Sequence, residues 1–219
     1  CSSDLDYLVT LPYIDENRIG AMGICAGAGY AISATQTELR IQAVAGISTW
    51  DVGDSQRNGF ARKWTDEQKK QILLDVAAQR TREARGEKPL LVGYVPNSPE
   101  DFTEDTPVIQ KEAYEYYNTP RAAHPNSHNK FIFTCNDRFI SFDAFAQIET
   151  IAPRPLLLIM GTEADTIYFS ETAYEKANEP KEMFYIQDAT HVDLYDKSPF
   201  VEQVTEKLVD FFRKALLQA

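Results

Sequence analysis

The stretch Asn17-Arg-Ile-Gly-Ala-Met-Gly-Ile-Cys-Ala-Gly-Ala-Gly29 constrains the fold of this chain more than any other. A short apolar run stops at glycine and passes directly into the Ala-rich segment Tyr30 to Thr35, which reads as strand, sharp turn, helix. A second apolar run, Ile41 to Thr49, follows that helix. A helix between two strands is the crossover unit of a parallel sheet, so the class is α/β. The same alternation returns near Phe142. A helix Phe142 to Glu149 is expected, then a strand Leu156 to Met160, a loop Gly161 to Ile167 and a helix Ser170 to Asn178. A strand Glu182 to Gln187, a loop Asp188 to Tyr195 and a terminal helix Val201 to Leu217 complete the pattern. That last helix repeats apolar residues at Val204, Leu208, Phe211, Phe212 and Leu216, near the 3.6 period of a helix packed on a sheet.

Between these halves the alternation is interrupted, which divides the chain into core residues 1–55, a helical and irregular insertion 56–141 of lid or cap type, and core residues 142–219. In the insertion, Thr65 and Gln68 form a capping box, and Ile72, Leu73, Val76 and Ala77 share one helical face. Residues 56–90 carry nine basic and five acidic side chains, a local excess of +4 that reads as a solvated helix face. Prolines at 89, 96, 99 and 107 mark irregular connection. A short helix around Val108 to Tyr117 brings Tyr114, Tyr116 and Tyr117, which read as packing residues.

Lys and Arg total 22 against 33 Asp and Glu, a net charge of −11. That balance argues against nucleic acid and against an anionic membrane surface as partners, because both need clustered cations. The apolar runs are of strand length, short of the roughly 20 residues of a membrane helix, so a soluble protein is expected. The three cysteines, Cys1, Cys25 and Cys135, contain no C-x-x-C pair, which fits a reducing, cytoplasmic setting. Cys1 admits a reading as a lipid-modified or nucleophilic N-terminal cysteine, but Asp4-Leu-Asp-Tyr-Leu8 reads as the middle of a helix. The chain is expected to begin inside an element.

The chemistry centres on Gly23-Ile-Cys-Ala-Gly27, a G-x-C-x-G at a strand-to-helix turn and thus the cysteine version of a nucleophile elbow. Glycines on either side leave room for the helix to cross close behind the strand. The helix N-terminus is expected to favour a Cys25 thiolate, and the Ala26 amide is a candidate oxyanion donor. Such a nucleophile needs a base. His124 and His128 lie in the insertion and read as surface residues. His191 instead follows a strand, at the carboxyl end of an α/β sheet, where ligands bind. A carboxylate holding the imidazole is expected between residues 25 and 191. Asp165, after the strand Leu156 to Met160, is the first choice; Glu163 on the same loop and Asp51 after the second strand are the alternatives. No metal, nucleotide or redox cofactor has a ligand set.

These segments, with Pro155-Leu-Leu-Leu-Ile-Met-Gly-Thr-Glu-Ala-Asp165 and Ala189-Thr-His-Val-Asp-Leu-Tyr195, resemble the dienelactone-hydrolase-like branch of the α/β-hydrolase superfamily. The resemblance covers roughly residues 1–55 and 142–219. It implies a mostly parallel eight-stranded sheet flanked by helices, and ester, lactone or thioester chemistry on a small acyl substrate. It also implies Cys25 as nucleophile, His191 as base and Asp165 as acid. In that family the elbow follows the fifth strand, so the first strands and one oxyanion donor are expected upstream of residue 1. A segment of the same polypeptide or another copy of the chain would supply them. A cysteine-elbow glutamine amidotransferase also uses G-x-C-x-G, and a catalytically idle binding protein would keep the fold; these are the rival readings.

Overall fold

The computed structural model describes residues 2–217, so the readings of Cys1 lie outside the described residues. The chain forms two compact units. One holds the chain up to Asp51 and from Asp143 onward; the other is Val52–Phe142.

The first unit begins with α1 (Ser2–Leu8), then β1 (Ile19–Ile24), α2 (Ala26–Thr37) and β2 (Ile41–Ile47). The second unit holds α3 (Val52–Asn58), α4 (Asp66–Ala84), β3 (Leu91–Val92), α5 (Val108–Asn118), β4 (Phe131–Ile132) and α6 (Asn136–Ser141). The chain returns to the first unit with β5 (Leu156–Gly161), α7 (Ile167–Lys176), β6 (Lys181–Ile186), α8 (Asp193–Asp196) and α9 (Phe200–Leu217).

Four strands of the first unit form one sheet in the order β1-β2-β5-β6, and every neighbouring pair is parallel. The class is therefore α/β, with four of the eight strands implied by the family resemblance found among the described residues. β5 is buried at all six positions, as a central parallel strand covered on both faces must be. One face presents Ala43, Ala45, Ile47, Leu157 and Ile159 to Leu194, Val204 and Phe211 from α8 and α9. On the other face, Gly46 lies against Ile32 of α2 and Leu158. Each fully buried Leu or Ile here contributes about 1.5–3 kcal/mol. β1 stands at one edge of the sheet, and its Met22 and Ile24 are exposed.

Arg154 ties the C-terminal end of α2 to the start of β2, because its guanidinium donates to the carbonyls of Thr35, Glu38 and Ile41 at 2.7, 3.0 and 2.8 Å. No α-helix forms over Phe142 to Glu149. Those residues turn irregularly into a short 3-10 segment, Ile148–Ile151. Gln36 replaces the helical hydrogen bonds there, donating to the Ala144 carbonyl at 2.6 Å and accepting from the Gln147 amide at 2.8 Å.

In the second unit the capping box of Thr65 and Gln68 opens α4 as the spacing predicts. The expected apolar face does not: Leu73 and Ala77 are exposed, and the inward line runs through Ile72, Val76 and Gln79. β3 and β4 pair antiparallel. The tyrosines of α5 pack on aromatic neighbours within the unit, Tyr117 edge-on to Tyr94 and Tyr114 edge-on to Phe102. No helix among the described residues is long and apolar enough to cross a membrane.

Candidate active site

Cys25 sits where β1 becomes α2, with φ 56° and ψ −125°, a backbone region that non-glycine residues rarely enter. Holding a residue there costs on the order of 1–3 kcal/mol and requires surroundings that determine it. Those surroundings are hydrogen bonds. The Cys25 amide donates to the Ile47 carbonyl at 2.9 Å, while the Cys25 carbonyl accepts from the amides of Ala28 and Trp50, both at 3.0 Å. The adjacent strand β2 and its following loop thus clamp the turn. Gly23 is sterically required, because a Cβ there would collide with the Gly27 carbonyl. Gly29 is required by the Trp50 carbonyl. Gly27 differs from the sequence-based expectation: a Cβ on it would meet nothing.

His191 is delivered by the loop after β6. That loop is pressed against the loop after β5, where a Cβ on Gly161 would strike the Ala189 carbonyl and the Glu163 amide donates to the same carbonyl at 2.9 Å. Ser48, itself at φ 45°, donates its hydroxyl to the His191 carbonyl at 2.9 Å. The imidazole is fully buried, with Trp50 edge-on to its ring. Its Nδ1 lies 2.6 Å from the Thr166 hydroxyl and its Nε2 lies 2.9 Å from the Tyr195 hydroxyl. The same Tyr195 hydroxyl and the Ala26 amide adjoin the Cys25 side chain. Cysteine and histidine are therefore brought to one place, with the Tyr195 phenol beside both.

Electrostatics keep this set neutral. Burial lowers His191 from 6.5 to about 3. The half-buried Cys25 thiol is pushed up by the same desolvation, against the pull of its bonds to Tyr195 and Ala26. This reverses the thiolate expected from the helix N-terminus. Burial likewise raises Tyr30 on α2, and the Asp51 charge adds to it. Its phenol therefore remains protonated.

The three expected carboxylates are placed differently. Asp165 is half-buried and directly precedes Thr166, whose hydroxyl takes the Nδ1 position where a triad acid was expected. Glu163 is exposed, and its backbone amide serves the loop contact. Asp51 is buried, next to the Trp50 that borders the imidazole. His124 and His128 are exposed and line a groove of the second unit with Asn97 and Tyr117. Among the described residues, no group of three or more His, Cys, Asp or Glu side chains is placed to hold a metal ion. Sequence reasoning missed Tyr195, Thr166 and Ser48. For Tyr195 a signal existed in the four-residue spacing from His191, the separation that brings two side chains together over one helical turn.

A parallel sheet with a strained turn after one strand and a histidine loop after another defines a protein of the α/β-hydrolase fold. The α/β hydrolase GrgF from Penicillium sp. sh18 matches it with a TM-score of 0.77 at 18% identity, over 99% of this chain and 70% of that one. The hypothetical protein PA2218 from Pseudomonas aeruginosa matches with a TM-score of 0.90 at 32% identity, over 98% of this chain and 66% of that structure.

Within that fold, the chain belongs to the family of the uncharacterized protein YcjY of Escherichia coli (strain K12). The two are 30% identical over 216 residues, 98% of this chain and 70% of YcjY. Against the complete PA2218 sequence, identity is 35% over 199 residues, 90% of this chain and 53% of that protein. The chain thus spans about half of the length of one of these relatives and 70% of the other. No family model matches it.

Proposed function

We propose that this protein catalyses acyl transfer from an ester, lactone or thioester to water, as a dienelactone-hydrolase-like enzyme with a cysteine nucleophile. The observation that carries this reading is the strained turn that presents Cys25 at the head of α2, beside the Tyr195 hydroxyl that bonds the Nε2 of His191. A nucleophile and a base placed in this way are the minimum set for covalent acyl chemistry. The Cys25 sulfur attacks the acyl carbonyl, His191 takes up the proton, and the Ala26 amide stabilises the oxyanion. Collapse of the tetrahedral species expels the alcohol or thiol, which leaves protonated. Water then resolves the thioester.

Thr166 orients the imidazole in this scheme, with its oxygen accepting from Nδ1–H so that Nε2 is free to act as base. The neutral resting state fits a nucleophile that gives up its proton only as substrate binds. The α/β-hydrolase fold favours this reading over glutamine amidotransfer.

The test uses p-nitrophenyl acetate and an acyl thioester. Turnover is expected, with one acyl group found on the Cys25 peptide by mass spectrometry. Replacement Cys25→Ala should remove the adduct and cut turnover by about a thousandfold or more. Undiminished turnover in that variant, or release of ammonia from glutamine in place of ester cleavage, overturns the reading.

A further inference from the structure

We infer that Tyr195 is a catalytic residue that carries the proton between Cys25 and His191; this rests on the acyl-transfer reading above. The geometry is that of a relay. The Tyr195 hydroxyl adjoins the Cys25 side chain and lies 2.9 Å from His191 Nε2, while Nδ1 is taken by Thr166 at 2.6 Å. A phenol has one donor and spare acceptor capacity, so it can receive a proton on oxygen and release its own without net change.

Tyr195 is also held firmly. It stands on α8, one helical turn after His191. That turn is fixed by the Thr190 amide donating to Asp193 at 3.0 Å and by the ion pair of Lys197 with Asp193 at 2.6 Å. The Tyr195 amide donates to the Val192 carbonyl at 3.0 Å.

The step balances as follows. The sulfur forms its bond to the acyl carbon, and the carbonyl π pair moves to oxygen. The S–H bond breaks as its proton passes to the Tyr195 oxygen, while the phenolic O–H bond breaks and that proton passes to Nε2. The phenol ends unchanged, and the histidine is left as imidazolium. In the return direction, Nε2 gives its proton to the phenol, and the phenol gives one to the departing alkoxide or thiolate. A half-buried thiol and a buried imidazole that both rest neutral need such a path at the moment of attack, since no ion pair is formed beforehand.

The experiment measures acylation of Cys25 by p-nitrophenyl acetate in wild type, Tyr195→Phe and His191→Asn, each also in mixtures of H2O and D2O. Tyr195→Phe should lower the acylation rate about a hundredfold, the lower end of what proton transfer contributes. KM should stay nearly constant, and the bowed dependence on deuterium fraction, which marks two moving protons, should become linear. Biosynthetic 3,5-difluorotyrosine at position 195 keeps the hydroxyl and should restore the rate, which a purely structural loss in the phenylalanine variant would not explain.

If Tyr195→Phe acylates at the wild-type rate while His191→Asn does not, the relay is refuted and the Cys25–His191 reading stands. If both acylate at the wild-type rate, the reading itself falls together with the relay.

Discussion

Lowering the pH from 7.5 to 5 should destabilise the folded protein through His191. Its imidazole is enclosed by uncharged groups, the hydroxyls of Thr166 and Tyr195 and the ring of Trp50. Burial takes it from 6.5 to about 3. Below 6.5 the unfolded chain binds a proton at this histidine that the folded chain refuses, so the unfolded state holds more protons and stability rises with pH. The contribution is complete above 6.5 and is lost progressively as pH falls toward about 3.

At pH 5 the loss spans 1.5 of those pH units, which at 1.36 kcal/mol per unit is about 2 kcal/mol. Asp15, Asp193 and Asp210 lie below 3.8 in the folded state, so their carboxylates stay charged across this window and largely drop out. Urea unfolding of wild type and His191→Gln at both pH values measures the effect. The variant loses the packing of the ring at either pH, but its side chain does not titrate. The stability gap between wild type and variant should therefore shrink by about 2 kcal/mol on going to pH 5. A gap that stays constant would refute the argument that burial holds this imidazole neutral.

The two elbow glycines should behave oppositely. Gly27→Ala meets open space inside a helix and should stabilise by about 0.5–1 kcal/mol in a thermal melt. Gly23→Ala strikes the Gly27 carbonyl and should abolish ester turnover, with or without loss of folding. At the base, Thr166→Val should lower kcat at least about tenfold by freeing the imidazole to change tautomer or tilt. Asp165→Asn should stay near wild type. The reverse order would return Asp165 to the place of the acid.

Much of the sheet was legible because its strands obey strong local rules. The runs 156–160 and 182–187, read from apolar content and turn residues, match β5 and β6 to within a residue. The misreadings have tertiary causes. Phe142, Ala144, Phe145 and Ile148 have helical spacing, yet the amide of Gln36, more than a hundred residues earlier, takes the local hydrogen bonds and turns the chain instead. On α4 four neighbouring apolar residues read as one face, whereas only a narrow line along the helix is covered. Of the partners of His191, Tyr195 could be read from its spacing alone, whereas Thr166 could not, because a threonine ahead of α7 carries no periodicity and its role comes from two loops meeting.

The charge state of Cys25 shows why the remainder needed three dimensions. From sequence, the one visible influence is the N-terminus of α2, whose dipole favours an anion by about 0.3–1 kcal/mol at an exposed site and up to about 2 kcal/mol when partly buried. That is at most one and a half pH units. Desolvation of the half-buried sulfur opposes it, and the thiol is raised. The same burial keeps the imidazole from serving as a preformed counter-ion. A thiol and a base that cannot exchange a proton at rest must do so during attack. Under the proposed acyl chemistry, activity at this elbow would then depend on proton transfer near the phenol of Tyr195 rather than on a supply of thiolate.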